Sequence, residues 1–499
     1  MLSTMSPQRS RTALSVAILA AALLCTAAAL ARGAEAGESW HSVHLQGRHV
    51  GYLHTERAAN AAEVTTGHSM HVTIERNGQQ LVVTSRERTV ETPEGEPISF
   101  TTEIDAAGSH TRIEGRIDTA AGTLRVRTGS HDHDSEQTLP WPQGALLFEG
   151  LRLLEARAGL ASGTRYQALA FDPASLSAMR VDGHVIGPER VDIHGRQETL
   201  TAVEQQLDLG GAHMVSRSWL DADGEVRRMR MPLMGLTLET IACNRECATA
   251  PPLAADVFES TLVDSPRPLT RTELGSRLSY RVVVESGSGD AFGQVPGQRV
   301  SGGDGGELLV QIDPVGGTGP EPTPRMLEPT RWLESDAPEL VEMAAKAISG
   351  ERDAARQMAR LERFVRRHVK TKSLRVGYAS ALETARSREG DCTEHAVLLA
   401  ALGRAAGIPT QVVTGLVYAP WFGGRESVFV PHAWVIAHAD GHWRGYDAAQ
   451  PRFDAGHLGL SIGDGDPFRF YSGVELLGRL QIAAVESTAV AAPAGAAGQ

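Results

Sequence analysis

Three residues in the C-terminal third of the chain have the types and the order that catalysis by a thiol nucleophile requires. They are Cys392, His432 and Asp447. A thiol needs a nearby base that accepts its proton and later returns one to the leaving group. The base in turn needs a carboxylate on its second ring nitrogen, which fixes its tautomer and orientation. These residues supply all three parts, and chemistry of this kind requires no metal or organic cofactor.

The sequence around Cys392 predicts that this residue begins a helix. Gly390 and Asp391 precede a run of apolar residues at helical spacing, which stops at Gly407. Unsatisfied backbone N–H groups and the helix dipole favour negative charge at such an end, so we expect the pKa of the Cys392 thiol to be lowered. The same N–H groups would face an oxyanion formed beside the sulfur.

The segments after this helix predict how His432 and Asp447 meet. A first strand is followed by a second that contains His432, and a turn at residues 440–441 leads to a third that ends near Asp447. Because a tight turn pairs the strands it joins, Asp447 should reach the ring of His432. Trp421 and Phe422 lie between the first two strands, either as part of a substrate wall or as ordinary hydrophobic anchors.

Two further polar residues, Glu394 and His395, follow the cysteine directly. They either face solvent or shape the pocket. A zinc site built from Cys392, His395 and His432 is an alternative, since thiolates and imidazoles are good zinc ligands. It lacks an evident fourth ligand, and a helix start suits a free thiolate better.

The remaining chemistry-bearing residues lie in the first half of the chain. Cys243 and Cys247 form a close pair, for which we favour a disulfide. A metal site is the alternative, but no other cysteine or histidine lies beside the pair in sequence. Histidine and aspartate alternate over residues 131–134, where a solvated, charged loop is favoured over a metal site.

The N-terminus indicates export. Arg9 and Arg11 precede an apolar stretch from Ala13 to Leu30 and a small-x-small site at residues 29–31, which is the layout of a cleaved signal peptide. The protein is therefore expected to be periplasmic or secreted. A retained inner-membrane anchor is the alternative, and membrane contact is expected only in that case. The net charge of -12 argues against a nucleic-acid partner.

The chain as a whole predicts an α+β protein with more strand than helix. Turn signals at Asn77-Gly78 and Asp223-Gly224 each separate two alternating runs, which indicates antiparallel hairpins. Helical periodicity begins only near Asp336, apart from a short stretch at 144–158. We expect a signal peptide (1–31), an N-terminal β-rich domain (38–262), a small β module (263–325), a catalytic domain (326–484) and a disordered tail (485–499).

Three sequence pieces carry a resemblance to a known family. GDCTEHAVLLAALGRAAGIPTQVVTGLVY, PHAWV and W-x-x-Y-D closely resemble the transglutaminase-like superfamily, in particular its exported bacterial members, over roughly residues 330–480. The resemblance implies a papain-like core in which Cys392 is the nucleophile, His432 the base and Asp447 the residue that orients it. The first half of the chain is faintly similar to extracytoplasmic half-barrels that bind lipids or lipoproteins.

The resemblance also implies a reaction, which has two possible products. Active members resemble one another in an acyl-thioester step, in which the thiolate attacks an amide carbonyl and releases the amine. Water as the second acceptor gives hydrolysis of a peptide or protein substrate, and a lysine amine gives crosslinking. The alternative is a catalytically inactive scaffold whose β-rich domain binds a protein or lipid partner in the periplasm.

Overall fold

The computed structural model describes the chain from residue 36 to residue 487. The residues left outside this description are 77–78, 107–108, 131–132, 209–212, 234–235, 253–254, 257–260, 285–294, 303–306, 372–378 and 466–479, together with both ends. The chain divides into two compact units, with the boundary between residues 260 and 261. The predicted signal peptide (1–31) and the histidine–aspartate run at 131–134 fall on residues whose backbone or side chains lie outside this description. Within the described residues, no helix is both long and apolar enough to cross a membrane.

The N-terminal unit is built on one large sheet. Its strands are β1 (Ala36–Leu45), β2 (Arg48–Ala59), β3 (Val64–Arg76), β4 (Gln79–Glu91), β5 (Pro97–Ala106), β6 (Ser109–Asp118), β7 (Thr123–Ser130), β8 (His133–Pro140), β9 (Ala145–Leu146), β10 (Arg165–Asp172), β11 (Ser177–Ile193), β12 (Arg196–Asp208), β13 (His213–Leu220), β14 (Val226–Leu233), β15 (Leu236–Cys243) and β16 (Ala255–Asp256). Two helices accompany them, α1 (Phe148–Ala158) and α2 (Arg245–Ala248).

The strands of this sheet follow each other as antiparallel neighbours. Their order is β8 to β1, then β15 down to β9, so that β1 pairs with β15 at the middle. Among the described strands of this sheet, the parallel pairs are β9 with β10 and β16 with β3. Both expected hairpins are present, because Arg76 pairs with Gln79 across the first and β13 pairs with β14 across the second. The β-rich first half predicted from turn spacing is therefore confirmed.

Alternation along the strands explains the core of this unit. In β11, buried and more exposed residues follow each other at period two, as a strand with one face on a core requires. Val181, Met229 and Leu238 are among the buried side chains that form the main apolar cluster. Cys243 and Cys247, for which the sequence favours a disulfide, are both free thiols here.

The C-terminal unit contains the remaining strands and most of the helices. Its strands are β17 (Val263–Asp264), β18 (Leu278–Val284), β19 (Gln298–Gly302), β20 (Glu307–Ile312), β21 (Thr410–Phe422), β22 (Arg425–Ala439), β23 (His442–Tyr446), β24 (His457–Gly463) and β25 (Leu480–Ser487). Its helices are α3 (Arg271–Leu274), α4 (Pro338–Ile348), α5 (Ala354–His368), α6 (Ala381–Ser387) and α7 (Cys392–Ala405).

Two sheets organise this unit. One has the order β17-β22-β21-β24, with β23 paired to the other end of β22, and the other has the order β19-β20-β18-β25. The segment expected as a small separate module thus shares sheets with the rest of the unit, since β17 pairs with β22 and β18 with β25. Strand β25 also extends to Ser487, into the segment expected as a tail.

The helix positions follow local sequence signals. Proline at the first position of α4 costs little, because the first N–H groups of a helix have no partner within it. Asp353 caps α5 by accepting from the N–H of Arg356. Over the described residues the chain is mostly β-sheet with few helices, so the α+β expectation holds only loosely and only for the C-terminal unit.

Candidate active site

Helix α7 carries Cys392 at its first position and is the most deeply buried helix of the C-terminal unit. Every residue from Cys392 to Arg404 is buried, and the helix packs against β21 and β22. A helix that is apolar around most of its circumference belongs in the core. The predicted helix start is confirmed, and the element that positions the thiol is held on all sides.

A capping box fixes the beginning of α7. Asp391 accepts a hydrogen bond from the N–H of Thr393 at 2.8 Å, and Glu394 accepts from the N–H of Asp391 at 2.9 Å. Burial, and then the charge of Asp391, raise the pKa of Glu394 well above its usual value. Glu394 therefore does not face solvent, and it serves the backbone at the helix start.

Gly390 is required by the same turn. Its φ is +150°, and a Cβ at this position would lie 2.3 Å from Cβ of Glu394. No side chain can occupy that position without displacing the capping carboxylate.

The surroundings of the Cys392 sulfur differ from the sequence expectation. Burial raises the pKa of the Cys392 thiol well above its ordinary value, and the nearby carboxylate of Asp391 adds to this. The hydrogen bond from the backbone N–H of Ala433 acts in the opposite direction. Burial outweighs the expected stabilisation by the helix start, so the resting group is a neutral thiol that needs a base to become nucleophilic.

His432 lies on β22, where its register partner on β21 is Gly415. Its Nε2 lies 2.8 Å from Oδ2 of Asp447, and only 7% of the residue is exposed. With Nε2–H donating to the carboxylate, Nδ1 is left as the basic nitrogen. Within the described part of the chain the thiol makes no direct hydrogen bond to this ring. Such contacts often tighten only when substrate is bound.

Asp447 is fully buried, just after β23, and its carboxylate is saturated with donors. Oδ1 accepts from the N–H groups of Ala449 and Gln450 at 2.8 and 3.0 Å. Burial alone would raise the pKa of Asp447, but His432 and His457 hold it well below its ordinary value. The carboxylate is thus ionised and able to orient an imidazole.

His457 is a site residue that the sequence analysis missed. It begins β24, is 2% exposed, and places Nε2 3.0 Å from the same Oδ2 of Asp447 that His432 contacts. Burial lowers the pKa of His457, but hydrogen bonds to Asp447 and Asp454 outweigh it and raise the pKa to about 9. Its only sequence signal is a histidine at the start of an apolar strand, which is more often structural.

Helix α5 supplies a second missed contribution. Oε1 of Glu362 accepts from the N–H of Asp447 at 3.0 Å, and Arg366 donates to the Asp447 carbonyl at 2.7 Å. Glu362 and Arg366 also form an ion pair one helical turn apart. This pair therefore holds the backbone of Asp447 in place.

His395 and Trp421 are two further residues for which the sequence allows alternative roles. His395 is buried and its Nδ1 lies 2.5 Å from the carbonyl of Asp391, and its ligand atoms do not converge with those of Cys392 and His432 among the described residues. Trp421 is 61% exposed and lies six residues along β21 from Gly415, about 20 Å away at strand spacing. Trp421 is therefore not a buried anchor, and along β21 it lies far from the register partner of His432.

A metal could in principle use His432, Asp447 and His457, whose ligand atoms lie within 4.8 Å of one another. Both histidines, however, use Nε2 against a single carboxylate oxygen at 2.8 and 3.0 Å. These are N–H···O distances, and the protons occupy the space where a shared ion would bind. The donor set fits a hydrogen-bonded triad with a second histidine better than a metal centre.

Comparison with known proteins identifies the kind of domain to which these residues belong. Residues 341–448, which include Cys392, His432 and Asp447, match the family model of the Transglutaminase-like superfamily. The C-terminal unit contains a transglutaminase-like domain. No significant match to a curated protein was found.

Solved structures give only distant likenesses to the chain that carries this transglutaminase-like domain. A proposed cysteine protease from Cytophaga hutchinsonii shares 16% identity over 43% of this chain and 84% of its own, with a TM-score of 0.27. A proposed protease from Parabacteroides distasonis shares 12% identity over 78% and 70%, with a TM-score of 0.20. A β-barrel-like protein of unknown function from Brucella abortus shares 15% over 42% and 95%, with a TM-score of 0.33. Scores this low do not establish a common fold.

Proposed function

We propose that the protein is an extracytoplasmic cysteine enzyme that breaks amide bonds through an acyl-thioester on Cys392, with His432 as base and Asp447 as the residue that orients it. The observation that carries the proposal is the 2.8 Å contact between His432 Nε2 and Asp447, on a strand whose next N–H, that of Ala433, binds the Cys392 sulfur. The leader-like N-terminal sequence supports export.

The first half of the proposed reaction forms the thioester. As the sulfur attacks the amide carbonyl carbon, the thiol proton passes to Nδ1 of His432, and the carbonyl oxygen becomes an oxyanion. The N–H of Cys392, at the first position of α7, has no partner within its own helix and is the natural donor to that oxygen. The C–N bond then breaks, and the amine leaves with the proton held by His432.

The second half regenerates the thiol. Either water or a primary amine gives a proton to His432 and attacks the thioester carbon. The C–S bond then breaks, which releases an acid or a new amide, and the sulfur takes the proton back from His432. Asp447 stabilises the imidazolium formed in each half, although it already shares its charge with His457. The acceptor decides whether the enzyme is a hydrolase or an acyltransferase.

The test uses the full chain with a glutamine-containing peptide and a fluorescent primary amine. Incorporation of the amine supports transfer, and release of acid alone supports hydrolysis. Cys392→Ser and His432→Ala should abolish either product. His442→Ala, which removes an exposed histidine from the next strand, should not. Equal turnover by wild type and Cys392→Ser would refute the proposal.

A second candidate function is ligand binding by the N-terminal unit, as expected for an inactive scaffold. The supporting observation is a cavity of about 580 Å³, whose lining includes Trp40, Phe148, Arg57 and Arg152. A charged lining of this kind favours a polar ligand over an acyl chain. Quenching of Trp40 fluorescence by peptides or lipid headgroups, compared with a Trp40→Phe variant, tests this function. Absence of any Trp40-dependent change would reject it.

A further inference from the structure

The N-terminal unit brings together two cysteines and a histidine that are far apart in sequence. Cys243 ends β15, and Cys247 lies in the short helix α2 that follows. Asn244 caps this helix by accepting from the N–H of Cys247 at 2.9 Å. This turn brings the two thiols of the C-x-x-x-C segment to the same end of the sheet.

His194, the histidine of this group, lies in the hairpin turn between β11 and β12. The side chain of Ile193 packs in one cluster with Ile241, two residues before Cys243, and Arg228 of β14 donates to the carbonyl of Asp192 at 3.1 Å. The ring of His194 consequently reaches the cysteines, with its Nε2 3.8 Å from Sγ of Cys247.

We propose that His194, Cys243 and Cys247 form a binding site for a soft d10 metal ion, Zn²⁺ or Cu⁺. One ligand atom from each residue lies within 4.8 Å of the others. Sulfur and nitrogen bound to one tetrahedral zinc at ordinary bond lengths are about 3.6 Å apart, close to the observed 3.8 Å. The ligands are soft, and oxygen-preferring ions such as Mg²⁺ and Ca²⁺ do not select such a set.

The backbone at His194 supports a role beyond turn formation. Its φ is 50° and that of the following Gly195 is 82°, so the turn places a non-glycine residue in the left-handed region. Asparagine is the usual residue at this position of a two-residue hairpin. A histidine there is less favourable for the turn, but it presents an imidazole to the two thiols.

Three protein ligands leave one tetrahedral position for a water molecule or another ligand from solution. The neighbouring histidines have other partners, since Nε2 of His44 lies 2.9 Å from Oγ of Ser42 and Nε2 of His49 lies 3.2 Å from the carbonyl of Ala248. The two cysteines are partly exposed and His194 is exposed, so an ion can enter from solvent. On binding, each thiol releases its proton to water, and no oxidant or reductant takes part.

The experiment is a titration of the full-length protein, reduced beforehand, with Co²⁺ as a spectroscopic probe. We expect one equivalent to bind with thiolate-to-cobalt charge-transfer absorption and tetrahedral d–d bands, and Zn²⁺ to displace it. A parallel titration of Cu⁺ against a chromophoric chelator compares the two ions. Cys247→Ser should remove the charge-transfer band or weaken binding at least tenfold.

Two variants separate coordination from folding. His194→Asn removes the imidazole but suits the left-handed turn, so it should weaken binding at least tenfold without lowering the thermal midpoint of the apoprotein. Cys392→Ala removes the thiol of the other unit and should keep the full cobalt signal. The proposal is overturned if His194→Asn binds as tightly as wild type, or if Cys243 and Cys247 form a disulfide whose reduction yields no cobalt site.

Discussion

Nε2 of His457 lies 3.0 Å from Oδ2 of Asp447, the same oxygen that accepts from His432 at 2.8 Å. One buried carboxylate therefore serves two imidazoles, and its charge is divided between them. The base of the proposed triad is oriented by Asp447, but part of the electrostatic support that Asp447 could give to a protonated His432 is already committed to His457.

The shared carboxylate predicts a pH-dependent contribution to stability. In the folded protein the pKa of His457 is raised, against the effect of burial, to about 9, above the ordinary histidine value of 6.5, by its hydrogen bonds to Asp447 and Asp454. Stability from its protonation is therefore fully present below about pH 6.5 and is lost as the pH rises through about 9, by about 3 kcal/mol at most. Thermal midpoints measured from pH 6 to 10 should fall in wild type. His457→Gln should lack this part of the fall, and equal slopes for both proteins would contradict the assignment.

A second prediction concerns the reactivity of the thiol. Burial raises the pKa of Cys392, and a raised thiol pKa means less thiolate at neutral pH. Alkylation of Cys392 by iodoacetamide should therefore be slower than that of free glutathione at pH 7, and should rise about tenfold per pH unit beyond the ordinary thiol pKa of about 8.5. Mass spectrometry of the Cys392 peptide gives the rates. A plateau already reached below pH 7 would indicate a stable thiolate instead.

Replacing the shared carboxylate tests its role in orienting His432. Asp447→Asn keeps an oxygen for the N–H groups of Ala449 and Gln450 but removes the charge that faces both histidines. We expect kcat to fall about 10²- to 10⁴-fold with KM little changed, because orientation and charge act in the transition state. Acylation by p-nitrophenyl acetate gives the rate. Asp454→Asn changes a partner of His457 that does not contact His432, so it should lower kcat far less. Similar losses of kcat for both variants would argue against the triad.

The turn before the helix gives a matched pair of glycine substitutions. Gly390→Ala would place a Cβ 2.3 Å from Cβ of Glu394, whereas at Gly407, with φ +76°, nothing lies within 4 Å of a new Cβ. Gly407→Ala should therefore cost only about 1–2 kcal/mol of unfolding free energy for its left-handed conformation. Gly390→Ala should cost clearly more and should disrupt the capping box. Denaturant unfolding of the two variants makes the comparison, which fails if their midpoints agree.

Sequence reasoning located what depends on local signals. Capping residues, turn residues and the alternation of apolar and polar residues predicted the helix that begins at Cys392, the hairpins and the β-rich first half. Each of these features is determined by residues that are close together in the chain. The spacing of strands placed Asp447 near His432, and the structure brings these two side chains together. Their catalytic roles stay a prediction.

The missed features depend on contacts between distant segments. His457 reaches Asp447 only because β24 pairs with β21, and Glu362 reaches it from a helix that precedes Cys392 in the chain. The prediction of an ionised thiol was wrong for a related reason. The helix start is a local signal, whereas the burial of Cys392 arises from packing in the whole unit. His194 likewise meets Cys243 through the packing of Ile193 with Ile241, which no spacing in the sequence shows.

The depth at which α7 is buried has a consequence for the oxidation of Cys392. Peroxides and disulfides react with the ionised, accessible form of cysteine, and Cys392 at 6% exposure offers neither property in the resting protein. The Cys392 sulfur should therefore stay reduced under conditions that oxidise an exposed thiol. In the enzyme proposed above, a bound acyl donor would draw the thiol proton toward His432 and make the sulfur reactive, so that no reducing partner would be needed to keep the resting protein competent.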